Sequence, residues 1–297
     1  MAIDHDRLFK ELLQTFFEEF VLLFFPDMHE HIDFNHLSFL SEELFTDVTA
    51  GEKYHVDLLV ETKFKGKDGL IIVHVENQAY VQSSFPERMF LYFSRLFEKY
   101  RTPIIPIAVF SYDAIRDEPS LFTLSFPFGD VLDFRFFHVE LRKQNWRQFI
   151  RTDNPVAAAL LSKMGYTESE RVELKKQFLR MLVRLELDEA RQRLLMGFFE
   201  TYVKLSDEEE QQLRSEVEQM ETKEKERVLE LIISYEQKGK IQGRKEGREE
   251  GRKEGVEQEK RHIAKRMLMK GFDAQTIHEL TGLPVTEIEE MKQSGFK

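Results

Sequence analysis

The stretch Val56-Asp57-Leu58-Leu59-Val60-Glu61-Thr62-Lys63-Phe64-Lys65-Gly66-Lys67-Asp68-Gly69-Leu70-Ile71-Ile72-Val73-His74-Val75-Glu76-Asn77-Gln78 decides the fold class. Its two apolar runs, 56–60 and 70–76, are short and rich in β-branched residues, so they read as strands. Lys65-Gly66-Lys67-Asp68-Gly69 between them carries hairpin chemistry. Successive residues of a strand point to opposite faces. His74, Glu76 and Gln78 therefore share one face, while Val73 and Val75 share the other. On the first strand Asp57 falls with His55 and Leu59. Aspartate is depleted in strands, so Asp57 inside an apolar run calls for an explanation. In one reading, Asp57 and Glu76 converge across the hairpin as oxygen ligands for a hard divalent cation. Magnesium is satisfied by one or two carboxylates with waters and phosphate oxygens, and such a site activates water against a phosphodiester. In the other, Asp57 is a strand-end residue beside an exposed Glu76–Gln78 pair.

Outward from the hairpin, Leu8-Phe9, Leu12-Leu13, Phe16-Phe17 and Phe20 recur at helical spacing and predict one amphipathic helix up to about Pro26. Phe85 to Tyr100 reads as a second helix, and Pro103 to Phe110 as a third strand with its prolines at the start. Phe134-Arg135-Phe136-Phe137-His138-Val139 supplies a fourth. This order implies an α/β domain, a mixed sheet flanked by helices. After Trp146 the pattern is helical, with Asn154-Pro155 opening a short helix. Thr167 with Glu170 and Ser206 with Glu209 have capping-box spacing. Of 27 phenylalanines, 22 precede residue 151, which marks an aromatic-cored domain at 1–150. A helical domain at 151–236, a charged glycine-repeat segment at 237–260 and a small helical module at 261–297 complete the expected organisation.

The 297 residues contain no cysteine, which excludes disulfides, thiolate metal sites and a cysteine nucleophile, and fits a cytoplasmic setting. His74-Val75-Glu76 imitates half of a zinc-deaminase signature, but the cysteines that must follow are absent. Neither a P-loop nor a Gly-x-Ser-x-Gly elbow occurs. No uncharged apolar run is long enough to span a membrane, and the N-terminus does not read as a signal peptide. The net charge of −11 argues against nucleic acid when read as a mean. It divides into −13 over residues 1–235 and +2 over 236–297, with +4 between Gly239 and Arg266.

Gly239, Gly243, Gly247, Gly251 and Gly255 recur every four residues. Each opposes a helix by about 1 kcal/mol relative to alanine. Pairs such as Glu249/Lys253 return roughly 0.2–0.5 kcal/mol each. An isolated helix here is expected to be marginal: a solvated linker, or a helix that gains stability from a partner along the glycine ridge. The segment from Ile263 to Met291, broken at Gly271 and Thr281-Gly282-Leu283-Pro284, has the outline of a helix-turn-helix. Glu287, Glu289 and Glu290 on its last helix are poor groove chemistry, which favours a packing or docking module.

The hairpin bearing Asp57 and Glu76-Asn77-Gln78, preceded by Phe9-Lys10-Glu11, resembles the PD-(D/E)XK nuclease core. With Arg88-Met89-Phe90 and Tyr92, Pro103-Ile104-Ile105-Pro106, the glycine-rich repeat and Leu280-Thr281-Gly282-Leu283, it is similar to the recombination-promoting nuclease/putative transposase family over nearly the whole chain. The resemblance implies a restriction-endonuclease-like fold with an all-helical C-terminal extension. It also implies a DNA endonuclease dependent on Mg²⁺ or Mn²⁺. By it, Asp57 and Glu76 match the metal-binding acids, Glu11 an acid of the first core helix, and Gln78 the usual lysine. A neutral amide orients water but supplies no charge; Lys53, Lys63 and Lys65 lie near enough in sequence to substitute. His55 and His74 read first as core residues, and otherwise as residues that support the metal-binding acids from behind. Arg88 and Arg95, seven apart on one helix, join Lys10 and Lys63 as candidate DNA contacts, although a solvated face has the same appearance. DNA and further copies of this chain, associating through the C-terminal helices, are the expected partners. The alternative is a nuclease-fold protein of weak or lost turnover that acts in binding or assembly.

Overall fold

A computed structural model of the chain describes residues 5–40, 43–46, 53–55, 58–66, 70–78, 84–113 and 115–293. Helices α1 (His5–Thr15), α2 (Phe17–Phe24) and α3 (Pro26–His31) come first, followed by strands β1 (Ser38–Phe39), β2 (Glu43–Thr46), β3 (Lys53–His55), β4 (Leu58–Lys63) and β5 (Leu70–Gln78). Helix α4 (Phe85–Tyr100) leads to β6 (Ile104–Phe110), β7 (Leu121–Phe126), β8 (Gly129–Arg135) and β9 (Phe137–Glu140). The remainder is helical: α5 (Pro155–Leu160), α6 (Arg171–Leu185), α7 (Glu189–Tyr202), α8 (Asp207–Glu218), α9 (Thr222–Met269), α10 (Ala274–Thr281) and α11 (Val285–Gln293). Two compact units result, Met1–Leu231 and Ile232–Lys297.

The first unit is built on a mixed five-stranded sheet in the order β1-β4-β5-β6-β9. The expected hairpin is present: β4 and β5 pair antiparallel from Leu58↔Val75 to Lys63↔Leu70. Its first strand runs on to Lys63, further than the apolar run 56–60 suggested. β6 lies parallel to β5, and β9 parallel to β6. Pro106 stands opposite His74, while β9 begins to pair only at Ile107. The proline's missing N–H thus sits at the entry of the strand, before its second neighbour has joined.

Helix α4 covers one face of the sheet. Tyr92 and Leu96 pack with Leu59 and Ile72, and Phe85 and Met89 pack with Ala108, Phe110, Phe134 and Phe136. Across the sheet, Phe17 reaches Phe39 of β1 and Phe25 reaches Phe137 of β9, with ring centroids 6.3 and 5.9 Å apart.

Two expectations change. The first helix is three: Phe16, at φ −131°, ends α1 and starts α2, so that the consecutive Phe16 and Phe17 are both buried. Pro26 opens α3 instead of closing a helix, in the first-turn position where its lost N–H had no partner to lose. The strand read at Phe134–Val139 is two half-strands. β8 turns away to pair with β7, and only β9 enters the main sheet. An unbroken apolar run cannot show that its two ends have different neighbours.

Asn154 caps α5 by accepting the Ala157 N–H at 3.0 Å, and its amide donates to the Glu19 carbonyl at 2.8 Å. Helix α5, fully buried, thereby joins the α2 layer to the helices that follow. Both capping boxes form. The Thr167 N–H donates to Glu170 at 2.7 Å and the Ser206 N–H to Glu209 at 2.8 Å. Phe178 of α6 and Phe199 of α7 stack at 4.0 Å inside this layer. Lys175, nearly buried, is held charged between Glu200 (2.9 Å) and Glu210 (2.7 Å). Burial works against its ammonium, but the two carboxylates leave its pKa raised.

In the second unit Ala264 of α9, Ile277 of α10, Leu283 and Ile288 of α11 form a small core with Met267, Leu268, Ala274 and Met291 around it. Asp273 caps α10 by accepting from Gln275 and Thr276, and Gly282 leaves the helix at φ +72°. The glycine series lies within α9, which is one continuous helix of 48 residues. A Cβ added at Gly247, Gly251 or Gly255 would meet nothing within 4 Å. Replacing all three with alanine is therefore expected to add about 3 kcal/mol of helix stability, read as a rise in helical circular dichroism and in Tm.

Glu170 provides a pH-dependent test. The Thr167 backbone N–H, then Arg147 and the Thr167 hydroxyl, lower its pKa from the ordinary 4.5 to about 2. A carboxylate so lowered stabilises the fold above the ordinary value, and this contribution is lost as pH falls from about 4.5 towards 2. Glu170→Gln is expected to reduce stability at neutral pH, with the difference from wild type closing across that interval in urea titrations.

Candidate functional site

Glu76 lies near the C-terminal end of β5, on the face that α4 covers. Ile72 and Glu76 bracket His74 there by the two-residue period of the strand. Glu76 is only 3% exposed and His74 is fully buried. A carboxylate removed from water is costly unless it is hydrogen-bonded and charge-compensated, and both conditions are met. His74 Nε2 lies 2.9 Å from Glu76 Oε1. Arg88 Nη2 stands 4.0 Å from Oε2.

Helix α4 positions these partners. Arg88 and Tyr92 are one turn apart and so share the inner side of the helix. The Arg88 guanidinium lies over the Phe85 and Tyr92 rings, at 5.1 and 5.8 Å. Tyr92 meets the His74 ring edge-on, with centroids 5.8 Å apart and planes at 68°. One tyrosine thus borders both groups that face the carboxylate.

The other expected site residues fare unequally. Glu76 is buried, not the exposed residue of the plainer reading. Asp57 lies outside the described residues, as does the side chain of Gln78, whose backbone ends β5 opposite Phe110. Glu11 is on the exposed face of α1, whose buried face carries Phe9, Leu12 and Leu13. Lys10 is half-buried on the same helix. Lys63 ends β4 opposite Leu70, six residues from Glu76 along β5, about 20 Å in an extended strand. Lys65, at the adjoining turn, donates to the His29 carbonyl at 3.2 Å. Proximity in sequence misled here, because a hairpin carries its turn lysines to the end opposite the carboxylate. Lys53 is in β3. Arg95 is half-buried, and Arg88 faces the carboxylate rather than solvent. His55 lies in β3, opposite Glu43. His74, read as a core residue, is buried as expected but is also bonded to Glu76; its position two residues before Glu76 was the available signal.

The carboxylate oxygens of Glu76 suit a hard cation such as Mg²⁺ or Mn²⁺, which takes one or two carboxylates and completes its shell with water. Among the described residues no group of three or more His, Asp or Glu side chains could hold a metal ion.

In the C-terminal module, α10 and α11 meet at the Gly282 turn. His278 Nδ1 lies 2.6 Å from the Leu283 carbonyl oxygen and braces that turn. Glu287, one of the three acids of α11, is bonded by Arg261 of α9 at 2.7 Å, whereas Glu289 and Glu290 are exposed. Among the described residues no helix is long and apolar enough to cross a membrane.

No curated protein and no solved structure matches the chain. Residues 257–293 match the family model described as Rpn/YhgA-like nuclease family, C-terminal HTH domain. The match agrees with the helix-turn-helix outline read in the tail. Over residues 257–293 the chain is similar to the C-terminal HTH domain of the Rpn/YhgA-like nuclease family, and this likeness supports the resemblance to the recombination-promoting nuclease family drawn from its hairpin and tail.

Proposed function

We propose that this protein is a DNA endonuclease of the transposase-like, recombination-promoting type that depends on Mg²⁺ or Mn²⁺, with Asp57 and Glu76 as the acids that hold the ion. The observation that carries the reading is a carboxylate buried at the end of a hairpin strand, in a chain whose residues 257–293 match the C-terminal HTH domain of a nuclease family. A bound divalent ion supplies a Lewis acid and a water of lowered pKa, the usual means of opening a phosphodiester. The protein's own groups do the rest. Glu76 offers carboxylate oxygen in a dry setting where electrostatic interactions are strong.

Gln78 orients water through its amide without adding charge. Among the described residues, Arg88 of α4 brings a positive charge to within 4.0 Å of Glu76. A guanidinium there stabilises negative charge developing on phosphate, the part a lysine at position 78 would take. DNA is held by phosphate contacts from the basic residues and by the helix-turn-helix module, in a salt-sensitive way. Self-association through α9 belongs to the same proposal. The open ridge of Gly247, Gly251 and Gly255 lets a second backbone approach closely.

The test is a plasmid-nicking assay with the full-length chain across Mg²⁺, Mn²⁺ and Ca²⁺. Wild type is expected to nick or cut DNA with Mg²⁺ or Mn²⁺. Asp57→Ala and Glu76→Ala, with folding verified by circular dichroism, are expected to lose at least about 100-fold, on the scale of removing a main electrostatic contributor. Wild-type protein that binds DNA but cuts it under no divalent metal would move the assignment to the non-catalytic alternative.

A further inference from the structure

We propose that the β7–β8 hairpin is a self-association surface, which docks on the same hairpin of a second copy of this chain through the apolar side chains around its tip. It is independent of the metal-site reading of Glu76 and of association through α9.

The hairpin is anchored at its base. Phe122 and Phe134, opposite each other in the ladder, pack on Phe90 and Phe93 of α4 with ring centroids 5.1 to 5.6 Å apart. Beyond that pair, every residue from Thr123 to Val131 is exposed. A strand pair with one face on the body of a protein ordinarily turns polar side chains to water. Here Phe128 is 85%, Val131 69% and Phe126 51% exposed, and Leu121 and Leu124 are exposed as well. Phe126 and Phe128 stack with centroids 5.5 Å apart and planes at 12°, which makes them one preformed apolar knob.

Area, charge and backbone all favour a second copy. Taking about 200 Å² for a phenylalanine side chain, the five residues present on the order of 500 Å² of apolar surface. That is near the upper end of what a monomer shows. Against its own copy the patch gives roughly 1,000 Å², and its polar rim brings the contact to the low end of a standard interface. The net charge of −11 opposes association of copies in general. The hairpin escapes this, because between Pro119 and Phe134 its only charges are Asp130 and Asp133, and Arg135 lies 3.3 Å from Asp133. The same stretch has no lysine or arginine, so it lacks the cations by which a protein holds phosphate. Among the described residues, β7 and β8 pair only with each other, which leaves each an edge outside the ladder. A two-fold axis sets a strand antiparallel to its own copy, so two such hairpins can continue one sheet.

The absence of cysteine provides the test, because a single thiol can be placed at will. Ser125→Cys, Pro127→Cys and Asp130→Cys are made separately in the full-length chain, with Gln211→Cys on the exposed side of α8 as the control. Each is treated with a short thiol-to-thiol cross-linker above about 10 µM, since an interface of this size is expected to be weak. At least one hairpin position is expected to give a covalent dimer in excess of the control. Adding Phe126→Ser with Phe128→Ser is expected to reduce it by at least about 10-fold, as for the loss of a central aromatic anchor. Folding is verified by circular dichroism. If the serine pair disturbs it, Phe128→Asp replaces the pair, at a side chain almost wholly in solvent. No excess over the control at any hairpin position would overturn the proposal. So would cross-linking that is unchanged by the serine or aspartate variants, because copies held together elsewhere would then be colliding at the hairpin. Loss of DNA binding in those variants without any hairpin cross-link would assign the tip to nucleic acid instead.

Discussion

A carboxylate out of water must be compensated from within the protein, and much of the first unit is arranged around that requirement at Glu76. An isolated charge in an apolar interior is untenable. Glu76 nevertheless lies in a strand whose neighbours Val73 and Val75 are fully apolar and buried. Compensation comes from two directions, along the strand from His74 and from above through Arg88. The second depends on α4 standing in one rotation about its axis. That rotation is fixed by Phe85, Met89, Tyr92 and Leu96, which bury the helix on the sheet. The hydrophobic packing of α4 and the electrostatics of Glu76 are therefore one constraint, and a change in either is felt in the other.

Elements whose partners are close in sequence were readable from the residues. The β4–β5 hairpin, α4, β6 and the caps at Asn154, Thr167 and Ser206 all depend on local pattern. Elements defined by distant neighbours were harder. The separation of β8 from β9 depends on which strands each meets, β7 for one and β6 for the other, and apolar periodicity is silent on this. The break at Phe16 belongs to the same class. In α9 the glycine series lies inside one continuous helix, where each glycine costs a single residue's propensity while its neighbours continue the ladder.

The site was legible in part for the same reason. The two-residue period placed His74 with Glu76, and the helical period placed Arg88 with Tyr92. Neither period states which face turns inward. Burial made Glu76 a compensated charge, and turned Arg88 from a surface cation into its neighbour. Lys63 shows the opposite case: few residues separate it from Asp57 in sequence, but the hairpin geometry carries it away from Glu76.

The sheet's two outer strands have a bearing on its solubility. β1 has two residues and β9 four, and each is the last member of the ladder on its side. A sheet edge is a template on which further chains can add, and its hazard grows with the length of unpaired backbone presented. Here the apolar strands β5 and β6 are shielded on both flanks, and the borders are too short to recruit a regular new strand. Among the described residues the sheet ends at five strands, and the apolar strands β5 and β6 that specify the core lie inside it.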